Sequence, residues 1–457
     1  MDISIFNSLK EATGPIYKEI ASCIELAIQN GTFKYGQKLM THRALAKELK
    51  VSPVTVSQAY QELERRGLIE ASVGKGSFIS YGKKLTDAIN EDKSAKINLS
   101  IIKPIETPFL NETTGIIPRI FNRDLSSLFG YNSDTSTPEQ LTIAKKWVAR
   151  RGLDFSNHSL LFCSGAQHAL LISILASTKP NDFVAVEEYC YPGILAALKH
   201  TGRTPVSVSL NNNGMCPSAL QKVCAEQTIS AVVVVASCHN PTGSVMPNEQ
   251  RSELASVADS YDLTIIDDDI YGFFCFPEVK PLWTFNPSKT IYIDSLSKSI
   301  APALRTAFIV IPVERHSEIV NLIRSTIWFC SPLLQELSCD LIASGKAEKI
   351  ESWQKVEVVR RQKLAADLLP KGSFTAHPSS PVVWLSLPSQ WTSSSFAREL
   401  NKQGVHVTED FYFCEQAPMG NSKIRISLVG TKYIEDLHQA LNLICTTMQS
   451  EARLGDF

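Results

Sequence analysis

Between residues 160 and 312 the chain alternates short apolar runs with segments of helical pattern, and each apolar run stops at a turn of small, polar or charged residues. Residues 160–163 lead into Ser164-Gly165-Ala166-Gln167-His168, and 183–186 lead towards Tyr191-Pro192-Gly193. Residues 230–238 end in His239-Asn240-Pro241-Thr242-Gly243, and 263–266 run into Asp267-Asp268-Asp269-Ile270-Tyr271. A Val-rich run as continuous as 230–238 is the kind buried on both faces, so the alternation predicts an α/β fold built on a mostly parallel sheet with flanking helices. A smaller α+β lobe is expected from 315 to 449.

The turns carry the chemistry. The last of them, Asp294-Ser295-Leu296-Ser297-Lys298 followed by Pro302 and Arg305, is where an enzyme would tether an aldehyde cofactor. A lysine that forms a Schiff base must lose its proton, while nearby hydroxyls and a guanidinium hold a phosphate dianion. Taken alone, such a run is more often a solvated surface feature. The turn at 164–166 offers free backbone N–H groups to an anion at a helix start, although a plain Ser164 cap accounts for it as well. Tyr191 could lay an aromatic face over a planar ring or serve as a core tyrosine. Three consecutive carboxylates, Asp267 to Asp269, repel one another at the end of an apolar strand, so something cationic has to compensate at least one. A protonated pyridine nitrogen meets that need; a metal ion is the alternative, but no His or Cys spacing supplies its ligands.

As an ordered set these turns resemble the fold-type I, pyridoxal-phosphate-dependent aminotransferases over residues 97–450. The resemblance implies that Lys298 carries the cofactor as a Schiff base and that Asp268 pairs with the pyridine nitrogen. It implies that Asn240 and Tyr271 hydrogen-bond the ring oxygen and that Tyr191 stacks on the ring. Ser164, Gly165, Ala166, Ser295 and Arg305 would receive the phosphate, with Tyr131 reaching in from a partner subunit. In Lys423-Ile424-Arg425-Ile426-Ser427, Arg425 is the expected clamp for an effector α-carboxylate, which a planar two-donor fork suits better than an ammonium does. The chain departs from the family pattern after Tyr131 and at His377-Pro378-Ser379-Ser380-Pro381, which lacks a glycine often found there.

The first eighty residues have a different pattern. Ile16, Ile20, Cys23, Ile24 and Ala27 fall on one helix face, Arg43 to Leu49 reads as a second short helix, and Pro53 opens a third after Ser52. Val73-Gly74-Lys75-Gly76-Ser77-Phe78-Ile79 then reads as a hairpin, which makes a winged helix-turn-helix. This segment resembles the N-terminal domain of the GntR family of bacterial regulators. By that resemblance Arg43, Ser52, Thr55, Ser57 and Gln58 face DNA, and Lys75 with Gly76 contacts a phosphate or the minor groove. Residues 1–80 hold ten Lys plus Arg and eight Asp plus Glu, so specific placement has to outweigh a nonspecific field.

A GntR-like reader joined to an aminotransferase-like domain is the layout of the MocR subfamily. The expected organisation is a DNA-binding domain at 1–80, a charged linker at 81–96, and an effector domain at 97–457. That domain would have a large lobe at about 120–312 and a small lobe at about 313–450, with residues 97–121 packing on the domain as an arm. The subfamily implies a head-to-tail homodimer, double-stranded operator DNA as partner, and an amine, amino acid or B6 vitamer as effector. Eleven cysteines without a Cys-x-x-Cys pair suit a reducing cytoplasm, and no apolar stretch approaches a membrane span. Two functions stay open on the sequence: a regulator that senses through its cofactor, and a working aminotransferase that carries a DNA-binding head.

Overall fold

The computed structural model describes residues 3, 5–6, 15–29, 32–33, 37–65, 68–72, 76–79, 96–107, 114–122, 128–130, 136–414 and 422–450. The expected linker, apart from Lys96, lies outside them, as do Lys75 and Tyr131.

The head consists of helices α1 (Ile16–Gln29), α2 (His42–Leu49) and α3 (Pro53–Arg65) and the antiparallel hairpin β1 (Ile69–Ser72) and β2 (Gly76–Ile79). Ile20, Ile24 and Ala27 of α1 meet Val56, Ala59, Tyr60 and Leu63 of α3 in one apolar core. Ile16, expected on that face, is 48% exposed, because α1 begins there and its first turn overhangs the core. Thr41 caps α2 by accepting the Ala44 N–H at 3.3 Å, and Lys50 ends it in the left-handed conformation. Residues 37–39 lie against β2, with Leu39 N–H donating to Ser77 O at 2.9 Å.

The large lobe is a seven-stranded sheet in the order β4 (His158–Cys163), β12 (Ala307–Pro312), β11 (Thr290–Ser295), β10 (Thr264–Asp268), β9 (Ile229–Val234), β5 (Phe183–Glu187) and β6 (Thr204–Val208). All neighbouring pairs are parallel except the two that β12 makes. Every residue of β11 and β12 is buried, as helices on both faces require. The Val-rich run is strand only as far as Val234 and then leaves the sheet, so that 235–239 form the loop leading into the Asn240 turn. A small hairpin, β7 (Leu210–Asn211) and β8 (Gly214–Met215), follows β6.

The small lobe holds a four-stranded antiparallel sheet in the order β13 (Phe374–Thr375), β14 (Val382–Ser386), β17 (Lys423–Ser427) and β16 (Thr408–Glu409). Its core begins later than residue 313: Ile319 and Ile323 of the helix His316–Ile327 pack into the large-lobe core. The helix Lys346–Leu368 spans both lobes, with Val358 in the large-lobe core and Ala365 in the small-lobe core. The arm packs on both lobes. Strand β3 (Ile97–Asn98) pairs in parallel with β15 (Val405–His406), and Ile97 and Leu99 enter the small-lobe core before Ile102 and Ile105 cross to the large one. No described helix is long and apolar enough to cross a membrane.

Candidate functional site

The carboxyl ends of β4, β5, β9, β10 and β11 all point to one side of the large sheet, and the turns they enter converge on a cavity that β17 closes from the small lobe. Lys298, Asp268, Asn240, Tyr191, Tyr271, Arg305 and Arg425 all line it.

Lys298 sits in the short helix Leu296–Ser299 after β11, and its Nζ donates to the Ile102 carbonyl at 2.7 Å. Burial, reinforced by the charges of Arg425 and Arg305 and opposed by Asp268, brings its pKa down to about 8. Asp268, the last residue of β10, is 4% exposed and its Oδ1 has no hydrogen-bond partner. Burial first, then the neighbouring Asp269 and Glu187 carboxylates, push its pKa up to about 7. The two flanking carboxylates point elsewhere, as alternation along a strand dictates. Asp267 accepts the Trp283 N–H at 3.0 Å, while Asp269 accepts from Ser237 Oγ at 2.6 Å and Tyr292 OH at 3.1 Å. Burial pushes the pKa of both carboxyls up; the cation that opposes this for both is Arg251, fully buried, which donates to Ser237 Oγ at 3.0 Å, and Arg151 opposes it further for Asp269. Neither arginine was singled out from the sequence, because nothing local ties residue 251 or 151 to residue 267.

Arg425 projects from β17 and is 4% exposed. Its Nη1 donates to Asn240 Oδ1 at 2.8 Å, and its Nη2 to Thr408 Oγ1 at 3.1 Å and to the Ser100 carbonyl. Its Nε is buried without a partner. Burial lowers its pKa to about 10, opposed by Tyr271 and Tyr191. Burial likewise pushes the Tyr191 hydroxyl up to about 12 and the Tyr271 hydroxyl higher, so both are neutral donors.

The anion cup is built on a close approach. Gly165, not Ser164, is the cap residue of the helix Ala166–Ser177, at φ +85. A Cβ there would lie 2.3 Å from Arg305 Nη2, so only glycine lets the guanidinium reach the turn. Arg305 Nη2 donates to the Ser164 carbonyl at 3.2 Å. Ser295 is turned away from the cavity: fully buried, its Oγ accepts the Ser297 N–H at 3.2 Å and donates to Thr306 O at 3.1 Å. Ser297 lines the cavity in its stead, with a buried, unpartnered Oγ. The local Ser-x-Ser-Lys pattern could not tell the two apart. Ser100, Ile101, Ile102 and Phe413 complete the wall, and no motif in the sequence marked them.

In the head, Arg43, Ser52 and Gln58 are exposed, and Thr55 and Ser57 are half-buried. Ser52 caps α3: its Oγ accepts the Thr55 N–H at 3.1 Å and lies 2.9 Å from Thr55 Oγ1. Gly76 is exposed at the end of the hairpin with φ +106.

Residues 130–443 match the aminotransferase class I and II family, and residues 16–79 match the gntR family of bacterial regulatory proteins. Among related sequences, an HTH-type transcriptional regulator of Bacillus subtilis, YdeF, is 29% identical over 443 residues, covering 96% of this chain and 95% of its own. The vitamin B6 salvage pathway transcriptional repressor PtsJ of Salmonella typhimurium is 26% identical over 444 residues, covering 94% and 99%. The fold matches Pyrococcus horikoshii kynurenine aminotransferase at TM-score 0.71 and 20% identity, over 78% of this chain and 91% of that one. It matches the α-aminoadipate aminotransferase LysN of Thermus thermophilus, solved with N-(5'-phosphopyridoxyl)-L-leucine, at TM-score 0.71 and 21% identity, over 84% and 96%.

Proposed function

We propose, from the premise that this chain belongs to the class I and II aminotransferase family and joins to it a gntR-type head in the MocR arrangement, that it is a transcriptional regulator which binds operator DNA and senses an amine, an amino acid or a B6 vitamer through pyridoxal phosphate held in the cavity. One observation carries the cofactor reading: Asp268 Oδ1 and Arg425 Nε, buried and without protein partners, belong to side chains that line the same cavity as the Lys298 amine. A buried carboxylate oxygen demands a donor and a buried guanidinium N–H demands an acceptor. A protonated ring nitrogen and a ligand carboxylate meet these two demands, so the residues present fit the group.

When bound, pyridoxal phosphate supplies an aldehyde that joins to amines and a ring that withdraws electrons. Lys298 would hold the aldehyde, and its pKa of about 8 keeps a share of the amine neutral and nucleophilic near neutral pH. Asp268 would keep the ring nitrogen protonated. Asn240 and Tyr271 would hydrogen-bond the ring oxygen, and Tyr191 would lie against the ring. Ser164, Gly165, Ala166 and Arg305 would hold the phosphate, with Ser297 in the role first expected of Ser295. Arg425 would clamp the effector carboxylate. PtsJ, by its name a repressor of vitamin B6 salvage, supports keeping a B6 vitamer among the effectors. The family layout supports a head-to-tail homodimer with Tyr131 reaching across from a partner.

The same residues would serve a working aminotransferase carrying a DNA-binding head; turnover separates the two readings, and visible absorbance tests the cofactor that both require. Protein loaded with pyridoxal phosphate is expected to absorb visible light, to lose that absorbance in Lys298→Ala, and to bind promoter DNA from beside its own gene. Rapid multiple turnover of common amino acids with 2-oxoglutarate would overturn the regulator reading; absence of visible absorbance in the loaded wild type would overturn the cofactor reading.

A further inference from the structure

We infer that α3 reads A·T base pairs, through Val54 and Gln61 acting beside Gln58, and that the operator half-site is A·T-rich where this helix docks. The inference rests on the DNA-binding reading above and adds the base class to it.

The face that α3 turns outwards follows from what it buries. Val56, Ala59, Tyr60 and Leu63 pack inwards, and the Tyr60 hydroxyl is fixed to the Met40 carbonyl at 2.8 Å. Val54, Gln58 and Gln61 are spaced four and three residues apart, so they form one stripe on the opposite side, and all three are exposed. Val54 is 66% exposed in the first turn of the helix, the part of a recognition helix that meets base edges.

The chemistry of that stripe is narrow. From Pro53 to Glu64 there is no lysine or arginine, so the N-terminal turns of α3, which meet base edges, offer no fork for guanine O6 and N7; the one arginine of the helix, Arg65, is its last residue, a turn beyond Gln61. The Ser52 and Thr55 hydroxyls are engaged with each other and with the cap, and Glu62 and Glu64 are half-buried with partners of their own. What the stripe itself exposes is one branched apolar group and two primary amides; Pro53, also exposed, carries no donor, and the Ser57 hydroxyl is half-buried beside the stripe. A carboxamide matches adenine N6 and N7 in the major groove, and a Val methyl pair matches the thymine C5-methyl. At 1.5 Å per residue the three side chains span about 6 and about 10.5 Å along the helix, which is roughly two and three base-pair steps of 3.4 Å. Charge supports the same division of labour. The head carries a net of only +2, so discrimination has to come from these edge contacts more than from phosphate attraction.

Full-length protein is used to select duplexes from a randomised library, and the winning site is then titrated by fluorescence anisotropy. The selected half-sites are expected to hold A·T pairs at three positions within about four base pairs. Gln61→Ala should lower the preference for A·T over G·C at one of them by about tenfold, with affinity for unrelated duplex unchanged. Replacing a single thymine by deoxyuridine, which removes only the methyl, should weaken the wild type and leave Val54→Ala indifferent. Half-sites with required G·C pairs under α3, or a base preference that survives both substitutions, would overturn the inference while leaving operator binding intact. Failure to enrich any duplex would overturn operator binding and the inference together.

Discussion

Replacing Asp268 with asparagine should make the cofactor-free protein more stable, by an amount that depends on pH. Its carboxyl is buried without a partner for Oδ1, and its pKa stands at about 7 against an ordinary 3.8. As pH rises from about 4, the unfolded chain releases this proton while the folded chain keeps it, so stability falls until the folded carboxyl ionises near 7 and is flat beyond. With about 1.4 kcal/mol per pH unit, the full deficit above pH 7 is roughly 4 kcal/mol, and at pH 5.5 it is roughly 2 kcal/mol. Asparagine mimics the protonated form, so Asp268→Asn should recover about those amounts at the two pH values. All six tryptophans lie between residues 147 and 391, so urea unfolding followed by tryptophan fluorescence reports on the effector domain without interference from the head. The same variant should bind pyridoxal phosphate less tightly, because the ring nitrogen loses its counter-charge. A gain that is the same at pH 5.5 and pH 8, or a loss of stability at pH 8, would refute the view that Asp268 is an uncompensated carboxylate kept for a ligand.

Three other substitutions test the rest of the site. Gly165→Ala puts a methyl where Arg305 Nη2 would be 2.3 Å away, at a backbone φ of +85; the dissociation constant for pyridoxal phosphate should rise tenfold or more with circular dichroism unchanged, and an unaltered constant would remove the anion cup from the site. Arg425→Lys should keep the visible absorbance of the loaded protein but raise the concentration of carboxylate effector needed for a DNA-binding response by about tenfold, measured by anisotropy on operator duplex. Arg251→Met removes the buried cation near Asp267 and Asp269 and the donor to the Met246, Lys280 and Ala236 carbonyls, and should destabilise the effector domain by about 3 kcal/mol or more, read from the same urea transitions; a loss under about 1 kcal/mol would mean that neither the carboxyls nor those carbonyls depend on it.

Much of the site is legible in the sequence because each reactive group ends an apolar run. Lys298, Asp268, Asn240 and Tyr191 all follow strands or sit at their last residue, and parallel strands deliver their ends to one side. Where the sequence misled, the information was not local. Ser295 and Ser297 are two residues apart and chemically alike; only the turn that ties Ser295 Oγ to Thr306 decides which one meets the cavity. The antiparallel course of β12 is invisible in an apolar run that reads the same in either direction. The 235–239 loop looks like strand because it is buried, and burial, not strand geometry, is what a Val-rich run records.

From its order of turns the chain alone determines the two kinds of module, the type of sheet, and the side chains able to handle an aldehyde, a ring nitrogen and a phosphate. These are properties of neighbours along the backbone, set by periodicity and by the chemistry of single residues. Tertiary structure decided which of those groups meet. It brought the Ser100 carbonyl to Arg425 across 325 positions, gave Asp267 and Asp269 their arginine, and left Asp268 facing the cavity with an unmet oxygen. Contacts at such separations are fixed by how whole lobes pack, and that packing is a sum over many side chains that no short motif records.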